Sequence, residues 1–304
     1  MSRDAAFEPS IYGVRRPLRR AGDDPWPIEA AAVLACSLEA AAPKAGNVHP
    51  SAGFRDMSFT DFLIGAALLA PVFRNCTEQS VGSLVLNSMT VVRERIGVNT
   101  ILGTLILLAP LAKAAADQRS IRGRSLHECT RQVLRDLTAE DANCVYEAIR
   151  LAAPGGLGSS TSHDVHQAPP PSLIEAMRAA PPCDTVAKQY ADGYSDLFLT
   201  FVPWLRELSD LYADVREVLV ALQLRILSQL PDGLIVRKAG EQVAATVMPL
   251  AAAAFAEFPV HRMSSNAFQQ LDAYLRSDGH RFNPGTTADL IAATLFVYLV
   301  DDAQ

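Results

Sequence analysis

The sequence predicts an all-α protein, a single-domain bundle of many helices around a deep apolar core. Three observations lead to this prediction. Hydrophobic residues make up 49% of the 304 residues, which is enough to bury a large core. Alanine- and leucine-rich stretches that begin with helix-capping residues are frequent. Alternating runs of β-branched and aromatic residues between tight turns, which would indicate strands, are scarce.

The individual helices follow from capping residues and proline positions. The first, over residues 27–42, begins at Pro27, which suits a first helical turn, and stops before Pro43. Ser58 or Thr60 can cap the second helix. The same signals predict the remaining helices, over residues 77–96, 98–116, 125–136, 138–151, 172–179, 184–208, 210–229, 235–258, 264–276 and 286–300.

Some stretches need separate interpretation. Residues 98–116 are almost all apolar and marginal for a membrane span of ~20 residues, but we expect a buried core helix capped by Asn99 or Thr100. Residues 153–171 are interrupted by glycines and prolines, so we predict a loop that lies on the surface or lines a site. The predicted helix 184–208 has a potential break at Pro203.

Composition narrows the function classes. The net charge is −6, from 27 basic and 33 acidic residues, and no basic stripe suggests nucleic-acid binding. Five scattered cysteines without CxxC spacing are typical of reduced thiols in a cytosolic protein. We expect a soluble cytoplasmic protein without an export signal or membrane anchor. Residues 1–25 are predicted to be flexible and 26–304 to form the helical domain; its alanine-rich helices leave homodimer formation open.

A loop between the first two predicted helices is dense in polar residues. Lys44, Arg55 and the backbone amide of Gly46 suit a phosphate group. Glu39 and Asp56 have the chemistry to hold Mg²⁺ or to act on a hydroxyl. The alternative is a polar connection with ordinary surface charges.

Two more segments suit an anionic ligand. Gly155 and Gly156 would let a ligand approach the backbone closely, although a flexible loop explains them equally. Arg237 and Lys238 lie near a predicted helix start and suit a polyphosphate. A basic surface turn is the alternative for that pair.

The last polar segment opens the final predicted helix. Thr286 would be a good N-cap, and Asp289 follows three residues later. A capping box explains this pair without any function. A catalytic carboxylate at Asp289 is the competing interpretation.

Taken together, the segments resemble one family, the triphosphoribosyl-dephospho-CoA synthases and their shorter relatives. The resemblance covers about residues 36–299, and its first and last segments are the most specific. The motifs are Glu39, Pro43-Lys44-x-Gly46-Asn47-Val48, Arg55-Asp56-Met57-x-Phe59, Asn99-Thr100 with Gly103, Gly155-Gly156-Leu157-Gly158, Asp164-Val165, Asp232 with Arg237-Lys238-x-Gly240, and Asn283-Pro284-Gly285-x-x-Ala288-Asp289-Leu290.

The resemblance implies an all-helical transferase that joins the triphosphoribosyl group of ATP to the 2′-hydroxyl of dephospho-CoA and releases adenine. Such a reaction passes through an oxocarbenium-like state, which nearby carboxylates stabilise. Glu39, Asp56 and Asp289 would then serve in acid–base catalysis or bind Mg²⁺; which of them is the base stays open.

The resemblance also suggests which residues bind the nucleotide. Phosphate contacts would come from Lys44, Arg55, Arg237 and Lys238. Ribose contacts would come from Asn47 and Asn99, with Gly155 and Gly156 beside the ligand.

The chain departs from the family pattern at one place. Synthases that make the citrate lyase precursor usually continue Asn-Thr with His-Lys-Gly, whereas this chain has Ile101-Leu102-Gly103. Two alternatives therefore stay open. One is a related phosphoribosyl- or nucleotide-dependent transferase with another acceptor, such as one in methanopterin-type cofactor synthesis. The other is a non-catalytic nucleotide-binding helical protein, in which Glu39, Lys44, Arg55 and Asp289 would not converge.

Overall fold

The computed structural model describes residues 24–97, 100–121, 123–153 and 165–301. Within these ranges the fold is all-α, with fourteen α-helices and no β-strand, which confirms the predicted fold class. The helices are α1 (Ile28–Ala41), α2 (Phe59–Arg74), α3 (Val81–Ile96), α4 (Leu102–Ser120), α5 (Leu126–Arg135), α6 (Ala139–Ala152), α7 (Leu173–Ala179), α8 (Thr185–Asp192), α9 (Val202–Leu211), α10 (Val215–Gln229), α11 (Gly233–Ala239), α12 (Glu241–His261), α13 (Asn266–Arg276) and α14 (Gly285–Val300).

Two strongly apolar helices, α4 and α14, form the centre of the bundle. Thirteen of the nineteen residues of α4 and thirteen of the sixteen of α14 are buried. The two helices pack against each other and both contact α1, while α10 covers α14. The structure thus confirms the predicted core helix over residues 98–116 as far as it describes these residues.

Capping residues fix the helix starts much as predicted. Ser58 and Asp61 form a capping box at α2, and Thr138 and Asp141 form one at α6. The Asp141 carboxylate also accepts a hydrogen bond from the Gly82 amide at 2.7 Å, which ties α6 to α3. The capping residues thus join neighbouring helices as well as starting their own.

Two predicted helices are each divided in the structure. The chain leaves α8 at Gly193 and passes through a π-helical turn, Leu197–Phe201, before α9. The predicted break at Pro203 is wrong, because that proline lies within α9, directly after the π-helical turn, and the chain is interrupted at Gly193 instead. Gly240, with a φ of 92°, separates α11 from α12.

Other details of the prediction also differ. α4 is preceded by Ile101 with no side-chain cap, so the predicted cap by Thr100 is wrong, and Asn99 lies outside the described residues. The segment Glu241–Ser264 is long and apolar enough to cross a membrane, judged by length and composition alone. The expected absence of a membrane anchor therefore stays a prediction.

Candidate active site

A cavity of about 540 Å³ opens between the starts of α4 and α14, the end of α1 and the loop that follows it. Its size is in the usual range for small-molecule sites. Six of the predicted site residues line it: Glu39, Asn47, Asp56, Arg237, Lys238 and Asp289. The polar segments that are distant in sequence therefore meet at one place in the fold.

Glu39 lies in the last turn of α1 and is almost fully buried. Its Oε1 atom lies 2.7 Å from Nζ of Lys44, whose side chain is completely buried. The same Nζ also donates a hydrogen bond to the backbone oxygen of Glu39. Lys44 is not on the cavity wall, so its position fits a buried partner of Glu39 better than the predicted direct phosphate contact.

The loop after α1 is fixed by side chains from α10 and α13. Gln223 donates from Nε2 to Oδ1 of Asn47 at 2.9 Å, and Asn47 donates from Nδ2 to Oδ1 of Asn283 at 2.7 Å. The amide of Gly46 donates to Oδ1 of Asp272 at 2.7 Å. This amide is therefore already used within the protein, and we no longer expect it to bind a phosphate. Asn47 faces the cavity, but its amide group is held by the protein.

Asp289 projects from the second turn of α14 toward the start of α4. Its Oδ1 atom accepts a hydrogen bond from the hydroxyl of Thr104 at 2.6 Å, and Gly103 faces the same carboxylate without a side chain. Burial raises the pKa of Asp289 to about 7, and the negative charge of Glu39 adds to the shift, which the Thr104 hydrogen bond opposes. A carboxyl group with such a pKa is suited to proton transfer near neutral pH.

The alternative interpretation of Asp289, a capping box with Thr286, is wrong. The N-cap position of α14 is Pro284, and it has no side-chain cap. The amide of Thr287 instead donates to Oδ2 of Asp232 at 2.7 Å. The side chain of Asp289 is thus free of a capping role and faces the cavity.

Asp232 joins α11 to α14. Its Oδ1 atom accepts from the amides of Leu234 and Ile235, and its Oδ2 atom accepts from both the amide and the hydroxyl of Thr287. These bonds fix α11 at the cavity, so Arg237 and Lys238 lie at its rim. Partial burial lowers the pKa of Lys238, and the positive charge of Arg237 lowers it further.

Two rim residues were missed by the sequence analysis. Arg93 of α3 lines the cavity and adds a third cation beside Arg237 and Lys238. His280 also lines it, with Nδ1 3.6 Å from Oδ1 of the exposed Asp56. Neither residue lies in a recognisable motif, so only the packing of α3 and the connection before α14 reveals them.

Part of the cavity wall is apolar. Ile101 and Leu102, which stand where the resembling synthases usually carry His and Lys, line it with hydrocarbon. Further apolar contacts come from α2, α4, α6, α7 and α8, through Phe62, Ile106, Ile149, Ala152, Met177 and Val186. The cavity lining therefore combines cations, two carboxylates and an apolar surface.

The remaining predicted residues fall elsewhere. Arg55 is exposed and is not on the cavity wall. Asn99, Gly155 and Gly156 lie outside the described residues. Across the described ranges, no three His, Cys, Asp or Glu side chains are grouped so that they could hold a metal ion. We therefore no longer expect Glu39, Asp56 and Asp289 to form a magnesium site by themselves.

The positions of these side chains test the hypothesis of a non-catalytic nucleotide-binding protein. That alternative requires Glu39, Lys44, Arg55 and Asp289 to point into separate regions. Glu39 and Asp289 instead line one cavity, and Lys44 contacts Glu39 directly. Only Arg55 lies apart, so this alternative is not supported.

Comparisons with known proteins point to the same family as the sequence motifs. The model of one family, CitG, described as ATP:dephospho-CoA triphosphoribosyl transferase, matches residues 25–304. A crystal structure of a candidate triphosphoribosyl-dephospho-CoA synthase from Archaeoglobus fulgidus is 26% identical, with a TM-score of 0.61, and the match covers 80% of this chain and 100% of that one. A search of curated proteins gives no match. The family match spans nearly the whole chain, and the protein therefore belongs to the CitG family of ATP:dephospho-CoA triphosphoribosyl transferases.

Proposed function

We propose that the cavity transfers the triphosphoribosyl group of ATP to the 2′-hydroxyl of dephospho-CoA and releases adenine. One observation carries this proposal: Glu39 and Asp289 face a single cavity whose rim bears Arg93, Arg237 and Lys238. A reaction at an anomeric carbon needs carboxylates, and a triphosphate needs cations. Family membership supports the same reaction and does not favour the pterin-type alternative.

The cationic rim is the proposed site of the triphosphate. Arg237 is exposed to solvent and Lys238 is half-buried, so both can contact a phosphate without losing an internal partner. Placing the triphosphate there leaves the ribose beside the two carboxylates and the base toward the apolar wall. We thus propose that ATP binds in this cavity.

Mg²⁺ is proposed to arrive with the nucleotide. In nucleotide sites this ion is usually held by one or two carboxylates together with phosphate oxygens. Asp56 is the carboxylate that fits, because it lies at the rim near Lys238 and its side chain is 57% exposed. Bound there, the ion would neutralise phosphate charge.

We also propose that the protein acts in the cytoplasm. All five cysteines are unpaired, which suits the reducing cytoplasm. Homodimer formation stays a prediction.

The proposed reaction is tested by incubating the protein with Mg²⁺, ATP and dephospho-CoA. We expect equal amounts of adenine and of a dephospho-CoA product heavier by one triphosphoribosyl group, both measured by mass spectrometry. An acceptor that lacks the 2′-hydroxyl is the matched control and should give no product. Consumption of ATP without free adenine would contradict the proposal.

A further inference from the structure

The two carboxylates that line the cavity have different partners. Glu39 forms an ion pair with the ammonium group of Lys44 at 2.7 Å. Asp289 accepts a hydrogen bond from the neutral hydroxyl of Thr104 at 2.6 Å, and no ion pair joins it to a cation of the described chain. A buried carboxylate is stable as an anion beside a cation, whereas a buried carboxyl without one favours its neutral form.

The other charged groups around the pair strengthen this difference. Asp289 experiences the negative charges of Glu39 and Asp232. The thiol of Cys36 on α1 lies near both carboxylates, and burial raises its pKa, so it remains neutral. Lys44 is the cation in direct contact, and it contacts Glu39. The site therefore holds one proton most easily on Asp289.

We infer that the two carboxyl groups have fixed and different roles, with Asp289 donating a proton to the departing adenine and Glu39 accepting the proton of the acceptor hydroxyl. This inference rests on the proposed function and deepens it, since it assigns which group is the acid and which is the base.

The step balances in atoms and electrons. The bond between C1′ of the ribose and N9 of adenine breaks, and its electron pair stays with adenine, which takes the proton of Asp289. The 2′-oxygen of dephospho-CoA forms the new bond to C1′ and gives its proton to Glu39. Asp289 ends as a carboxylate and Glu39 as a carboxylic acid, and proton exchange with water restores both.

Each side chain is well placed for its role. The hydroxyl and the backbone amide of Thr104 hold the carboxyl group of Asp289 at the cavity wall, beside Gly103. The raised pKa of Asp289, about 7, keeps a large protonated fraction near neutral pH. Glu39 is held in place by its contact with Lys44, and its carboxylate can also stabilise the positive charge that develops at C1′.

The test uses a donor whose base leaves without a proton. ATP methylated at N7 of adenine carries a positively charged base that departs as a neutral molecule. With ATP, both Asp289→Asn and Glu39→Gln should lower kcat by about 10²- to 10⁴-fold. With the methylated donor, the kcat of Asp289→Asn should come within about tenfold of the wild-type kcat, a smaller loss than the removal of a catalytic acid causes. The kcat of Glu39→Gln should stay low with both donors.

A measurement on the unaltered protein keeps the inference testable if a variant does not fold. The kcat with ATP should fall as pH rises past about 7, because Asp289 must be protonated to act. The methylated donor should lack this alkaline decrease. The kcat is the proper readout, because titration of Lys238 at the rim would chiefly change KM.

The outcomes separate the two claims. If the wild-type protein releases no adenine from ATP in the presence of dephospho-CoA, the proposed function fails. If it does, but both donors show the same alkaline decrease, or Glu39→Gln is the variant that recovers, the assignment of acid and base is overturned and the proposed function stands.

Discussion

The carboxylate of Asp289 occupies the space that a side chain at position 103 would need. A Cβ atom built on Gly103 would lie 2.0 Å from Oδ2 of Asp289 and 2.6 Å from its Cγ. Any residue larger than glycine at this position must push the carboxylate away. The first turn of α4 and the second turn of α14 are therefore fitted to each other at the proposed site of proton transfer.

Gly103→Ala should lower kcat by about 10²-fold, the order of effect that displacing a catalytic group by ~1 Å produces, while the protein stays folded. Steady-state kinetics and circular dichroism measure the two effects. Gly65→Ala is the matched control, because the added methyl group would meet Ile96 and Thr100 at ordinary distances of 3.4 and 3.6 Å. Equal activity of the two variants would show that the close approach at Gly103 does not matter.

Lys44→Met should destabilise the fold, because it leaves the buried Glu39 without its cation. Removing one member of a buried ion pair costs about 3–5 kcal/mol in the free energy of unfolding. Urea denaturation measures this loss. If Lys44 were instead a direct phosphate contact, the variant would keep its stability and lose only ATP affinity.

The double variant Lys44→Met with Glu39→Gln isolates the pair. Since neither charge remains, most of the lost stability should return. Activity should stay absent, because the proposed base is gone. A double variant that is as unstable as the sum of the single ones would mean that Lys44 and Glu39 do not act on each other.

Arg237→Ala should weaken ATP binding without much effect on kcat. A charge-assisted hydrogen bond contributes about 1.5–3 kcal/mol, so the Kd for ATP should rise by about 10- to 100-fold. Titration calorimetry gives the Kd. Arg135→Ala, an exposed arginine of α5 that is not on the cavity wall, is the control and should bind ATP normally. Unchanged affinity in Arg237→Ala would remove that residue from the site.

The raised pKa of Asp289 should also appear in the stability of the protein. Between its ordinary pKa of 3.8 and about 7 the folded protein binds a proton that the unfolded chain does not. Stability therefore declines as pH rises through this window. Relative to Asp289→Asn, which cannot ionise, the wild-type protein should lose stability from about pH 4 to about pH 7 in urea titrations. A constant difference between the two proteins would mean that the pKa is not raised.

Most helices of this protein could be predicted from the sequence, because capping residues and helix breakers act locally. The predicted helix over residues 138–151 is confirmed, and a capping box of Thr138 and Asp141 starts it. The division between α8 and α9 was misplaced, because Pro203 is a conspicuous helix breaker, whereas Gly193 ends α8 through its left-handed conformation.

The site could be predicted only in part, because its arrangement depends on how the helices pack. The sequence indicated Glu39 and Asp289 through their family motifs. It gave no sign that Lys44 would turn inward to Glu39, since a lysine in a polar loop is usually solvated. Arg93 and His280 reach the cavity from segments without a motif, so only the three-dimensional arrangement identifies them.

The most direct test of the account is a crystal structure of Asp289→Asn with ATP, Mg²⁺ and dephospho-CoA. We expect C1′ of the ATP ribose to lie between the side chains at positions 39 and 289, with the triphosphate at Arg237 and Lys238 and the acceptor 2′-hydroxyl within hydrogen-bond distance of Glu39. ATP bound outside this cavity, or with its C1′ out of reach of both side chains, would contradict the account.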